Sequence, residues 1–136
     1  LVEIEWFWKH GDFCLNNLLV TPTGVGIVDF DEFGATCVPL HDEIGLGLSV
    51  YQLSARQQDW EAAGRHILAC VQSTLRRHPE LSPGLPGLFL HYLVWRVNQG
   101  FGRPRREAAC AGLRIIIDAF AEEPARFFPT TPDARQ

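Results

Sequence analysis

Asp12 and Asn17 stand five residues apart, and Asp29 follows twelve residues further on. Their settings are His10-Gly11-Asp12, then Asn17, then Ile27-Val28-Asp29-Phe30-Asp31. Mg²⁺ takes carboxylate and carbonyl oxygens and leaves its other positions to waters and substrate phosphates. The carboxamide of Asn17 and the carboxylate of Asp29 could hold such a cation. Asp12 would then be free to accept a proton from a substrate hydroxyl. That division of labour suits phosphoryl transfer, in which positioning and charge neutralisation outweigh covalent chemistry.

A hairpin is needed to bring these groups together. Leu18-Leu19-Val20 and Val25-Gly26-Ile27-Val28 are apolar and rich in β-branched residues, and Thr21-Pro22-Thr23-Gly24 between them is a turn signal. Pairing these two runs puts Asn17 at the entrance of one strand and Asp29 at the exit of the other, hence at one end. An acid that follows so apolar a strand needs a partner or a metal to offset desolvation. Residues 1–9 read as a short strand or the end of a helix. Their Trp6, Phe7 and Trp8 read as core or as a packing face, with the lining of a ligand site as the alternative. After Gly34 the β signals stop.

Helices are expected over Asp42–Ser54, Arg56–His78, Leu88–Gln99 and Arg105–Glu123. Trp60, Gly64, Ile67, Leu68, Val71 and Leu75 form the apolar stripe of the second, and Ala109, Leu113, Ile116, Ile117 and Phe120 that of the fourth. Pro79 to Gly87 reads as a connection, Gly100 as a C-cap, and Gly102-Arg103-Pro104 as a stop. The tail from Pro124 is expected to fray. The expected fold class is α+β, mostly α: a hairpin with its loops, then about four helices.

The combined pattern, His10-Gly11-Asp12 with Asn17 and then Ile27-Val28-Asp29-Phe30-Asp31, resembles the catalytic segment of the aminoglycoside phosphotransferase and choline-kinase-like family. The likeness runs from about Trp8 to about Ser54. That family is similar in fold to protein kinases. The resemblance implies that Asp12 is the catalytic aspartate and that Asn17 and Asp29 are the metal ligands. Asn16 is chemically as good a candidate, and the spacing favours Asn17. Asp31 would touch a second metal ion or cap the next segment. His10 would brace the loop, and Asp42, in Pro39-Leu40-His41-Asp42-Glu43-Ile44, would fix it. The implied cofactors are Mg²⁺ and ATP or GTP, and the implied partner is a small-molecule hydroxyl substrate.

By the same resemblance the chain is a kinase-like C-terminal lobe: catalytic loop 10–17, metal motif 29–31, helical region 39–123, tail 124–136. A Gly-rich loop and a strand lysine that reaches the phosphates would belong to a preceding nucleotide lobe. Lys9 is the one lysine here, it abuts the loop, and the chain has no Met. The expectation is therefore a piece of a larger protein, inactive and weak in nucleotide binding without that lobe.

The 136 residues fit one domain, and 46% apolar with 21% charged residues is an ordinary globular composition. A net charge of −4 argues against a nucleic-acid binder. No apolar run reaches the roughly 18 residues of a membrane span. Cys14, Cys37, Cys70 and Cys110 form no Cys-x-x-Cys pair, so buried reduced thiols in a cytoplasmic protein are expected. Arg103, Arg105 and Arg106 read as a solvated face, with an anion site as the alternative, and Glu122 and Glu123 as surface charge or as a contact for a cationic substrate. Two other functions compete. Asp29-Phe30-Asp31 also suits a haloacid-dehalogenase-like phosphatase, but that chemistry needs a later lysine and further parallel strands. A degenerate kinase-like module that binds a partner is the other alternative.

Overall fold

The computed structural model describes residues 5–54, 56–100 and 104–129. The fold is α+β and mostly helical. In chain order it contains β1 (Phe7–Lys9), β2 (Leu18–Thr21), β3 (Gly24–Ile27) and β4 (Gly34–Thr36), then α1 (His41–Ser54), α2 (Trp60–Arg77), α3 (Leu85–Gly100) and α4 (Glu107–Glu122). Short 3-10 turns precede β2, α3 and α4 and follow α4.

β2 and β3 form the expected hairpin, with Leu18 opposite Ile27 and Thr21 opposite Gly24. Pro22 and Thr23 make the turn, and the Thr21 hydroxyl donates to the Gly24 carbonyl at 3.0 Å. The strands do not stop there. Gly34–Thr36 pairs antiparallel with Phe7–Lys9, Trp8 opposite Ala35. This corrects the reading that β structure ends at Gly34. Gly-Ala-Thr carries little strand signal of its own, and side chains around it hold the pair. The Trp8 ring stacks on Phe33 with centroids 5.4 Å apart, and the Lys9 ammonium donates to the Glu32 carbonyl at 3.4 Å.

Helix boundaries follow local chemistry. α2 begins at Trp60 rather than Arg56 because Asp59 caps it, its side chain accepting from the Ala62 N–H at 2.9 Å. α3 begins at Leu85 rather than Leu88. Pro86 in its first turn lacks an N–H that would be unpaired there anyway. Gly100 is the buried last residue of α3 rather than a cap beyond it. A Cβ on Gly100 would collide with the Cys110 sulfur, so its smallness lets α3 and α4 close together. The expected stop at Gly102-Arg103 lies outside the described residues. α4 starts at Glu107, after a 3-10 turn over Pro104–Arg106.

The core lies among the four helices, with Ile44, Ile67, Val71, Phe89 and Leu93 fully buried. Of the stripes expected on α2 and α4, Leu68 and Ala109 face solvent. The tail expected to fray is anchored as far as it is described. Pro124–Arg126 makes a 3-10 turn, and Phe127, 1% exposed, packs against Trp60, Phe89 and Phe120. An aromatic residue of this size gains more from burial than a short polar-flanked tail loses in entropy. Residues 130–136 lie outside the described set. Trp6 and Trp8 are exposed, not core. The four cysteines are free, but only Cys110 is buried and Cys37 is exposed. Among the described residues no helix is long and apolar enough to cross a membrane.

Candidate active site

The loop from His10 to Asn17 joins β1 to β2, and α1 holds it by its backbone. Asp42, in the first turn of α1, accepts from the His10 N–H at 2.6 Å and from the Gly11 N–H at 3.0 Å. Burial pushes the Asp42 carboxyl up. The His41 imidazole beside it and these two amide hydrogens outweigh that and hold it below the ordinary carboxylate value. His41 Nδ1 stands 3.6 Å from the carboxylate, an electrostatic neighbour rather than a hydrogen-bond donor. Gly11 has φ +94°, and a Cβ there would lie 2.5 Å from the Glu32 carbonyl oxygen. The glycine is thus required twice, by conformation and by space.

His10 is buried, with Nε2 2.9 Å from the Val28 carbonyl. A carbonyl only accepts, so Nε2 carries the proton. The ring packs on Phe30 at 4.6 Å between centroids. His10 therefore ties the loop to the end of β3. Further along, the Leu15 N–H donates to the Ser49 hydroxyl at 3.1 Å, a second tie to α1.

Asn17 ends the loop, and its side chain is buried. Its amide nitrogen donates to the Asp12 carbonyl at 2.8 Å, which leaves its side-chain oxygen as a hard donor atom. Its own carbonyl accepts from the Val28 N–H at 3.0 Å, one step beyond the hairpin ladder. Asn17 and Asp29 consequently leave the same end of the hairpin. Asp29 has φ 62°, a left-handed conformation that Asp tolerates better than most residues. The desolvation argument for Asp29 is overturned. Both faces of β3 are open, and Asp29 and Asp31 are exposed. Neither makes a hydrogen bond or ion pair to another described residue.

Asp12 is half-buried and faces a cation that the sequence reading left without a role. Its Oδ1 lies 3.0 Å from a guanidinium nitrogen of Arg96, on α3. A cavity of about 290 Å³ opens beside the pair, with Cys14, Ser49, Gln52 and Tyr92 among its lining. Burial pushes the Tyr92 phenol far above its ordinary value, so it stays protonated. The chain matches no protein-family model, no curated protein and no solved structure. None of these comparisons supports the resemblance to small-molecule kinases, which rests on the sequence motifs alone.

The donor set fits a hard cation. Asn17 offers one oxygen, and the exposed Asp29 and Asp31 carboxylates offer more, with room for water. Among the described residues no three His, Cys, Asp or Glu side chains gather to hold a metal, so an ion here would need Asn17, water and substrate phosphates to complete its shell. Arg96 and Ser49 are the residues that sequence reasoning missed. Arg96 did leave a signal: a lone cation in Tyr92-Leu93-Val94-Trp95-Arg96-Val97 must find a partner. Arg106, read as a solvated face, comes within 3.8 Å of Glu32, which itself lies under Gly11. Glu123 faces Arg126 at 3.9 Å, near the end of α4 opposite to the cavity. Nine residues of helix from Leu113 to Glu122 span roughly 13 Å, so these acids do not line the Asp12 cavity.

Proposed function

We propose that this chain carries the catalytic segment of a Mg²⁺-dependent phosphotransferase that moves the γ-phosphate of ATP or GTP to a hydroxyl of a small molecule. The observation that carries the reading is the linkage at one end of the hairpin. Asn17 holds the Asp12 carbonyl through its amide, and the Asn17–Val28 bond brings Asp29 out at the same end of the hairpin. Asn17 and Asp29 would hold Mg²⁺, with Asp31 within reach of a second ion. The bound ion would supply charge neutralisation on the phosphates. Asp12 has one carboxylate oxygen on Arg96, and the other remains to orient an acceptor hydroxyl and take its proton late. His10 and Asp42 keep the loop backbone still while this happens. A nucleotide-gripping lysine belongs to this reading too. Lys9 is turned to the Glu32 carbonyl and does not serve as one.

A second reading has its own observation. Val20, Val25, Phe30, Phe33, Trp6 and Trp8 are all more than half exposed, on or beside the two small sheets. Apolar surface gathered in this way marks a contact face, as for a kinase-like module that acts by binding. One experiment separates the two. Asp12→Ala in the complete natural protein that contains this sequence removes the proton acceptor. A loss of phosphate transfer of about 10²-fold or more is expected, in line with general-base contributions. Transfer within a few-fold of wild type refutes the catalytic role and leaves the binding reading.

A further inference from the structure

We propose that the cavity beside Asp12 binds a compact, uncharged polyhydroxyl compound, and that Arg96 is the residue that sets this choice. The proposal rests on the phosphotransferase reading only for the fate of the hydroxyl; the binding site stands on its own geometry.

The charge of the cavity carries the argument. Asp12 and Arg96 are the only charged side chains that line it among the described residues. They are 3.0 Å apart and cancel. Arg96 is not a loose surface cation. Its side chain is about three-quarters buried, its second terminal nitrogen is enclosed without an acceptor, and the Trp95 ring lies 5.9 Å away. A ligand with two ammonium groups would gain from Asp12 and lose nearly as much to Arg96. It would also give up the hydration of both charges. A neutral ring of hydroxyls meets no such opposition.

The remaining lining suits hydroxyls. Gln52 can donate and accept, and the Tyr92 phenol keeps its proton. Ser49 is already committed to the Leu15 N–H and the Leu46 carbonyl. Leu48 and Leu113 give one apolar wall. At about 290 Å³ the space sits at the lower end of small-ligand cavities, so the ligand is a single ring or a short chain.

The test uses two rings of similar size and opposite character, myo-inositol and the dicationic 2-deoxystreptamine, titrated into the 136-residue chain and followed by ¹⁵N amide shifts. Inositol is expected to move the Cys14 and Gln52 amides and to bind about two- to fivefold more tightly than the diamine, the reach of one part-exposed charge pair. Arg96→Gln leaves Asp12 uncompensated and is expected to reverse the order, while Arg96→Lys keeps it. Equal or tighter binding of the diamine to wild type overturns the proposal. So does an unchanged order in Arg96→Gln, or no shift with either ring. The wild-type ranking decides even if Arg96→Gln does not fold. A retained ranking together with undiminished phosphate transfer by Asp12→Ala in the complete natural protein would sink the phosphotransferase reading alone.

Discussion

Asp42→Asn is the sharpest probe of how the loop from His10 to Asn17 is held. Asp42 accepts two backbone N–H bonds, at 2.6 Å from His10 and 3.0 Å from Gly11, and its side chain is 22% exposed. A hydrogen bond to a charged group contributes about 1.5–3 kcal/mol net, and partial exposure puts each of these near the lower end. Alanine would forfeit both, about 3 kcal/mol in all; asparagine keeps one accepting oxygen and forfeits about 1.5 kcal/mol. Either is a sizeable share of a domain stability of roughly 5–15 kcal/mol. Urea denaturation at neutral pH reads the total, and hydrogen exchange at His10 and Gly11 reads the loop itself. The pH dependence gives a second check. The folded Asp42 carboxyl sits below its ordinary 3.8. Its contribution is therefore full above that value and is lost as pH falls through the lower, folded one. Asparagine has no such titration, so the stability gap between wild type and Asp42→Asn must shrink as pH drops below 3.8. Equal stability of the two at neutral pH refutes the reasoning. So does unchanged exchange at the two amides, or a gap that persists in acid.

Two further substitutions test the frame around the site. Gly11→Ala puts a side chain into a left-handed conformation, which alone costs about 1–3 kcal/mol, and its Cβ strikes the Glu32 carbonyl. A loss at or beyond the top of that range is expected in denaturation, and a loss under about 0.5 kcal/mol, the ordinary surface value, would contradict the loop geometry. Phe127→Ala empties a fully buried aromatic site and is expected to cost about 3–5 kcal/mol, with a change in Trp60 fluorescence as its stacked neighbour is lost. A surface-like loss would show that the tail does not complete the core.

Much of this was legible in the sequence, and the reasons differ by element. The β2–β3 hairpin announced itself because its strands are apolar and its turn chemistry is local. The helices did so through their periodic stripes, with ends misplaced where a capping Asp, a tolerated Pro, the close packing at Gly100 or the 3-10 turn before α4 decided the matter. The β1–β4 pair was hidden because it joins residues far apart in the chain and Gly34-Ala35-Thr36 carries no pattern. Phe127 was hidden by the prolines around it, which read as punctuation while one aromatic ring settled the tail's fate. At the site, Asp42 holds the backbone of His10 and Gly11, as the resemblance implied, and Asn17 holds the Asp12 carbonyl. Asp29 is at the expected end of the hairpin through the expected pairing, but it is open to water, not trapped beneath apolar surface. Arg96 comes from a helix far along the chain, and no local rule connects it to Asp12.

The backbone of Phe127 runs directly over Gly64, so closely that any side chain at position 64 would strike its carbonyl. α2 therefore carries a notch shaped for a segment made more than sixty residues later. During synthesis, α1 to α4 can form and pair while that groove stands empty, with Trp60, Phe89 and Phe120 still wet. Locking of the helical half must then wait until that segment has left the ribosome, so closure of this core follows the pairing of the helices rather than accompanying it.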